Sequence, residues 1–339
     1  MSNNTDQSLY SEKLAIPRIK LARLPTPLVP LRRFSAKHSI PTIWLKRDDL
    51  TDTSASGNKL RKLEFTVGQA LSESATVLIT CGGVQSNHCR ATAIVASQLG
   101  IKSHLILRGR SDSPVDGNLL LNKLVGANIS FASQSQFGDL DSLFASTASA
   151  YIDEGETPYC IPMGASDEVG LWGYIEACRE MKTQIEEQDL EVDYLISATG
   201  SGGTAGGLVV GKALYDLDLN IHSFNVAQDA AFFKDKISQD IKIWQQRYGV
   251  PLNANDIPIY IQGGYVGEGY AIASTPVFKL IQDLAQTEGV ILDPVYTAKA
   301  FYGLMCELEK GKFRSSDDLI FLHTGGLFGL FPQRDQLFP

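Results

Sequence analysis

Short apolar runs alternate along this chain with longer stretches in which apolar residues recur every three or four positions. The runs 43–47, 76–80, 103–107, 128–132, 158–162, 193–198, 221–227 and 318–323 have the length of buried strands. Between them Leu60, Leu63, Val67, Ala70 and Leu71 keep helical spacing. So do Leu120, Leu121 and Leu124, and then Ala298, Phe301, Met305 and Leu308. Strand and helix in alternation predict an α/β fold of open parallel sheets with helices on both faces. Ligands in such sheets sit beyond the carboxyl ends of the strands.

Glycine-rich turns follow several of these runs. They are Cys81-Gly82-Gly83, Thr199-Gly200-Ser201-Gly202-Gly203-Thr204, Thr324-Gly325-Gly326 and, after the shorter run 259–262, Gly263-Gly264-Tyr265. The turn at 199–204 leaves a strand and enters a helix. Its glycines let backbone N–H groups approach an anion, and the helix N-terminus adds partial positive charge. A plain tight turn is one reading. A dinucleotide fingerprint is another, since Gly200, Gly202 and Ala205 fit G-x-G-x-x-A. That pattern wants an acid roughly 20 residues on, and the region 223–227 has no carboxylate. A Gly-Lys-Ser/Thr triphosphate loop is missing too, so a single phosphate fits best.

Two more segments carry chemistry. In Ser56-Gly57-Asn58-Lys59, the loop ends at a predicted helix start with Asn58 as a candidate N-cap. A lysine there meets the positive end of the helix dipole, which lowers its pKa and makes it a better nucleophile or base. A solvated basic helix start is the alternative. In Gly83-Val84-Gln85-Ser86-Asn87-His88, polar side chains bunch at another helix start and suit a carboxylate, although ordinary capping by Ser86 or Asn87 explains them as well. Tyr265, Tyr270 and Tyr296 lie in glycine- or proline-rich loops. They can stack or move protons, or simply pack.

Composition narrows the classes. The chain has 339 residues, 44% hydrophobic, with a formal net charge of −8. That length allows about two domains. An acidic chain has no electrostatic footprint for nucleic acid. No apolar run approaches the ~20 residues a membrane span needs. The first 14 residues show no basic start before an apolar segment, so the cytoplasm is the expected location. The five cysteines form no zinc-spaced pair and are expected to be free thiols. Cys81 and Cys160 read as core filler, and Cys89 as a candidate reactive thiol.

Taken in order, Pro25-Thr-Pro-Leu, Leu45-Lys-Arg-Asp-Asp-Leu, Gly57-Asn-Lys-Leu-Arg-Lys-Leu-Glu64, Gly83-Val-Gln-Ser-Asn-His-Cys-Arg90, Thr199-Gly-Ser-Gly-Gly-Thr204, Leu292-Asp-Pro-Val-Tyr-Thr297 and His323-Thr-Gly-Gly326 span roughly residues 20 to 330. This set resembles the 1-aminocyclopropane-1-carboxylate deaminase and D-cysteine desulfhydrase group of pyridoxal-phosphate enzymes, which have the tryptophan-synthase β-like fold (fold type II). Ser56 departs from the group, which commonly has glycine there.

The resemblance implies two α/β domains with pyridoxal 5′-phosphate in the cleft between them. The larger comprises 1–61 plus 165–339 and the smaller 62–164. Lys59 is implied as the lysine bonded to the cofactor, with Asn87 on the ring's phenolic oxygen and Asn58 among the cofactor-binding residues. Gly200, Ser201, Gly202, Gly203 and Thr204 are implied to hold the phosphate. Gln85, Ser86, Asn87, His88 and Tyr265 would bind substrate, with Ser86, Tyr270 and Tyr296 facing the reacting atoms. Thr297 and Thr324 stand where ring-opening deaminases have Glu and Leu, which is the desulfhydrase pattern. A neutral hydroxyl near the pyridine nitrogen gives a weaker electron sink than a carboxylate does, and expelling HS⁻ from Cβ can manage with it. The implied reaction is β-elimination from D-cysteine by a homodimer, with the cyclopropane acid or another β-substituted amino acid such as cysteate as alternatives. No metal is implied.

Overall fold

The computed structural model describes residues 9–253, 257–313 and 318–338. Its strands are β1 (Leu28–Pro30), β2 (Thr42–Lys46), β3 (Val77–Gly83), β4 (Lys102–Arg108), β5 (Asn128–Ala132), β6 (Pro158–Ile161), β7 (Val192–Thr199), β8 (Asn220–Asn225), β9 (Tyr260–Gln262) and β10 (Asp318–Leu322). Its helices are α1 (Tyr10–Lys13), α2 (Arg32–His38), α3 (Lys59–Ser72), α4 (Asn87–Leu99), α5 (Gly117–Leu124), α6 (Leu140–Asp153), α7 (Trp172–Glu187), α8 (Gly203–Tyr215), α9 (Ala230–Tyr248), α10 (Thr275–Glu288) and α11 (Thr297–Glu309). Every strand expected from the apolar runs is present, with ends displaced by a few residues. Residues 1–8, part of the segment read for a leader, lie outside the described residues.

Two sheets form. One runs β1-β2-β10-β7-β8-β9 and the other β5-β4-β3-β6. All pairings are parallel except β1 with β2, where Leu28 lies opposite Lys46. Three residues ending in proline gave β1 too little pattern to be foreseen.

Alternation along the strands shows how the helices are held. Trp44, Leu195, Ile320 and Leu322 enter a core with α7, α8 and α9. Ile43, Leu45, Ile196, Leu319 and Phe321 enter the opposite one with α2, α10 and α11. In the smaller sheet Leu78 packs with α3 and α4, Leu105 and Leu107 with α4 and α5, and Val77, Ile79 and Ile106 with α6. Both sheets are therefore covered on both faces.

Two expectations fail. α5 exists, but Leu120 and Leu124 are 46% and 76% exposed while Asn118 and Asn122 are buried. Asn118 is drawn inward because its side chain bonds the Gln85 carbonyl and Arg90. Cys81 is buried as expected, but Cys160 is exposed, on the edge strand β6.

Helix α3 is buried from Leu60 to Gly68, charges included. Arg61 donates to Asp48 through Nε and Nη2, at 2.8 Å each, and to Glu180 at 2.9 Å. Lys46 pairs with Glu180, and Tyr174 donates to Asp48. Gly173 of α7 touches the α3 backbone, where a Cβ would lie 2.5 Å from the Arg61 carbonyl. Burial alone would raise the Glu180 carboxyl, but Arg61 and Lys46 outweigh it and hold the pKa at about 2.

Arg61→Ala leaves Asp48 buried without its counter-charge and is expected to cost about 3–5 kcal/mol in urea unfolding. A loss under about 1 kcal/mol, an ordinary substitution effect, contradicts this account. The Glu180 contribution is complete above the unfolded value of about 4.3 and drains away as pH falls toward 2. Glu180→Gln is therefore expected to lose less stability between pH 5 and 3 than the parent protein.

Candidate active site

The carboxyl ends of β3, β4, β7 and β10 border one cavity of about 830 Å³. Of the residues singled out in the sequence, Asn58, Lys59, Ser86, Asn87, His88, Gly200, Ser201, Gly202, Thr204, Tyr270, Tyr296 and Thr324 line it. Gln85, Gly203, Tyr265 and Thr297 do not.

Lys59 is seated by a close backbone contact. Gly57 has φ +108°, and a Cβ there would lie 2.8 Å from the Thr324 carbonyl oxygen, so glycine is required twice over. The Asn58 N–H donates to that same oxygen at 3.1 Å. Asn58 does not cap α3, contrary to expectation. Its backbone is already helical, and its Nδ2 donates to Thr204 Oγ1 at 3.1 Å, tying α3 to α8. Lys59 borders the cavity and keeps some accessible surface, yet dense protein surrounds its amine. Burial lowers its pKa to about 8. The Lys59 side chain has no hydrogen-bond or ion-pair partner among the described residues.

The turn at 199–204 is a cradle. Gly202 has φ +92°, and a Cβ on Gly203 would lie 2.7 Å from Ser166 Oγ and 2.8 Å from Lys62 Nζ. Ser166 Oγ donates to Ser201 Oγ at 2.8 Å and accepts from the Gly203 N–H at 3.2 Å. Lys62 is wholly buried and donates to the Gly164 carbonyl and to Ser166. Burial, and then the neighbouring Lys59, push its pKa far down. The sequence reading missed Lys62 and Ser166. Lys62 was detectable, since it lies three residues from Lys59 on the same helix face. Ser166 gave no signal.

At the start of α4, Ser86 Oγ accepts from the Cys89 N–H, so the capping reading holds. Asn87 Oδ1 accepts from Arg90 Nη1 and Asn118 Nδ2, both at 3.1 Å. Its amide NH₂ is thereby left to serve the cavity. Thr80 spends its proton on the Ile161 carbonyl, so His88 Nε2 must be the donor in their 2.8 Å bond. Burial, with Lys59 and Lys62 nearby, holds the His88 pKa far down. The neutral ring has no proton left for a carboxylate. His88 Nδ1 and Thr199 Oγ1 are buried without a partner among the described residues.

Gln85 bonds the Asp116 carbonyl and the Asn118 N–H, and so turns away from the cavity. Tyr265 donates to Glu307 and packs on Phe224, outside it. Thr297 donates to Asp293 at 2.7 Å and is fully buried, leaving Thr324 as the hydroxyl of that pair at the cavity wall. Asp293 claims it because its carboxylate also collects the N–H groups of Val295, Tyr296 and Thr297. Tyr270 and Tyr296 join through their hydroxyls, with ring centroids 5.8 Å apart. Burial raises both pKa values, Tyr296 strongly. Burial also pushes the Cys89 thiol up to about 12, which does not suit a reactive thiol.

A desolvated free amine, a glycine cradle that a Cβ would fill, and unpartnered polar atoms in the wall together fit an aldehyde carrying one phosphate. The family model described as pyridoxal-phosphate dependent enzyme matches residues 19–325. This chain belongs to that family. It is 39% identical over 330 residues to the Arabidopsis thaliana bifunctional D-cysteine desulfhydrase/1-aminocyclopropane-1-carboxylate deaminase, mitochondrial, covering 94% of this chain and 80% of that protein. It is 36% identical to the D-cysteine desulfhydrase of Salmonella newport, covering 93% and 95%. A crystal structure of an ACC deaminase homologue superposes with TM-score 0.88 at 34% identity, covering 96% of this chain and 97% of that one. The fold is that of the pyridoxal-phosphate enzymes, and pyridoxal phosphate is the cofactor. No helix among the described residues is long and apolar enough to cross a membrane.

Gly203→Ala intrudes on Ser166 and Lys62 beneath the cradle. It is expected to weaken binding of pyridoxal phosphate to the apoprotein by about tenfold or more, or about 1.4 kcal/mol. Absorbance titration measures this, and unchanged affinity would remove the turn from the phosphate site.

Proposed function

We propose that this enzyme eliminates the β-substituent of a small amino acid, D-cysteine above all, giving pyruvate, sulfide and ammonia. The observation that carries the reading is the Lys59 amine, without a partner among the described residues, at the cavity that the glycine cradle also borders. Relatives named for D-cysteine support the substrate. So does the neutral hydroxyl of Thr324 at the cavity wall, while Thr297, which stands where ring-opening deaminases have Glu, is neutral too and is bound to Asp293.

Bound there, pyridoxal phosphate supplies an electron sink that acidifies Cα–H. Lys59 would hold the cofactor, and its amine, with the pKa lowered by burial, would serve as a base for the Cα proton. Asn87 would offer its NH₂ to the cofactor ring, because its own oxygen is occupied by Arg90 and Asn118. Asn58 braces Lys59 against Thr204. Gly200, Ser201, Gly202 and Thr204 would seat the phosphate, with Lys62, Ser166 and the Gly203 N–H that Ser166 accepts beneath. The Ser86 hydroxyl and the N-terminus of α4 receive the substrate carboxylate. Tyr270 and Tyr296, kept protonated by burial, donate or relay a proton on the other side.

The same reading divides the chain into domains 1–61 plus 165–339 and 62–164, one around each sheet, with the cavity between. It takes the protein as a cytoplasmic homodimer. Leu120 and Leu124, exposed on α5 beside the C-terminal turn of exposed Leu327, offer apolar surface that such an interface would cover.

Lys59→Ala is expected to abolish the visible absorption band and to lower turnover at least about a thousandfold. A normal band in that variant contradicts the assignment. With the amine titrating at about 8, capture of pyridoxal phosphate by the apoprotein should accelerate with pH up to about 8 and level off above. An unperturbed lysine would keep accelerating to about 10.4. Both enantiomers of cysteine and the cyclopropane acid, assayed for sulfide and for keto acid, test the substrate. Faster turnover of the cyclopropane acid than of D-cysteine would overturn it.

A further inference from the structure

Arg108 ends β4 at the cavity wall, in a place the reading above leaves without a task. Its guanidinium carbon lies 5.5 Å from the ring centre of Phe137 and 5.9 Å from that of Tyr270, and both rings line the same cavity. Stacking holds the plane of the group while leaving its N–H donors at the edge free. Among the described residues no carboxylate pairs with it and no acceptor takes its side-chain hydrogens. The other cations at the cavity are committed. Lys236 pairs with Asp240 at 2.6 Å and bonds the Ser166 carbonyl, and Lys59 holds the cofactor on the reading above. Glu268, the acid that lines the cavity, is exposed and makes no ion pair with Arg108. A half-buried cation without an anion lacks the partner that would offset its lost hydration.

The fold also fixes where this charge lies. Parallel pairing sets Arg108 opposite Gly83, and a Cβ on Gly83 would sit 4.0 Å from the Tyr270 ring. Arg108, Tyr270 and the loop leading to Ser86 thus share one corner, where β3 and β4 end. The glycine cradle belongs to the other sheet, at the end of β7.

Elimination creates the missing anion. The base takes the Cα proton, and the electron pair left behind becomes the second bond between Cα and Cβ. The Cβ–S bond breaks with its pair going to sulfur, and HS⁻ appears inside the cavity. The unsaturated amine then takes up water to give pyruvate and ammonia. We propose that Arg108 receives the group leaving from Cβ and holds it as an anion while that bond breaks. The site thereby favours substituents that depart carrying negative charge on a hydrogen-bond acceptor. This rests on the lyase reading above.

The test uses holoenzyme with D-cysteine and β-chloro-D-alanine, since chloride leaves with little help. Arg108→Gln is expected to lower kcat on D-cysteine about a hundredfold, as loss of one donor to a developing anion does, with KM less affected. The loss on β-chloro-D-alanine is expected to be about tenfold smaller, and Arg108→Lys to recover part of the D-cysteine rate. Equal losses on both substrates would mean that the guanidinium serves the α-carboxylate, and would overturn the proposal, as would no loss at all. If the parent enzyme acts on neither compound, the lyase reading fails. Arg108 is then tested alone by titrating holoenzyme with thiocyanate, followed by cofactor absorbance. Arg108→Gln is expected to weaken thiocyanate binding about tenfold, and equal affinity in both proteins rejects the anion site.

Discussion

The contact on which the site depends is the approach of Gly57 to the carbonyl of Thr324. The loop before α3 and the loop after β10 meet backbone to backbone, with a Cβ on Gly57 calculated at 2.8 Å from that oxygen. The Asn58 N–H closes the contact, and the Asn58 side chain reaches on to Thr204. Three glycine-bearing segments far apart in sequence therefore converge at one point. The first residue after that point is Lys59. Its amine has nowhere to go except the cavity, because the helix behind it is packed on all sides.

Charge is handled in two opposite ways within four residues of α3. Arg61 is fully compensated by Asp48 and Glu180, and anchors the helix to α7 and the 48–50 turn. Lys59 is left without compensation, so burial acts on it unopposed and its pKa falls to about 8. Desolvation is expensive for any charge. It becomes useful only where the group can lose its proton, which lysine can and arginine cannot.

The cavity is likewise divided by the two sheets. The β7 end supplies a cradle of glycine backbone with the buried Lys62 below it, which suits a permanently bound anion. The β3 and β4 ends supply Ser86 and Arg108, which suit groups that come and go. On the proposed reading, cofactor phosphate and substrate thus take separate walls, with Lys59 between them.

Much of this was legible in the sequence. Strand positions follow from apolar runs, because a strand buried on both faces must be apolar nearly throughout. The glycine turns, Lys59 and Asn87 stand out because few residue types can do their work. What failed was side-chain direction. Gln85, Tyr265 and Thr297 sit in the right segments but are claimed by Asp116 and Asn118, by Glu307, and by Asp293. The exposed leucines of α5 misled for the same reason, since Asn118 was pulled inward by bonds to Gln85 and Arg90. The chain by itself determined which elements form and which segments meet. Only the tertiary structure decided which polar groups face the cavity, because a hydrogen bond to a distant residue leaves no periodic trace in the sequence.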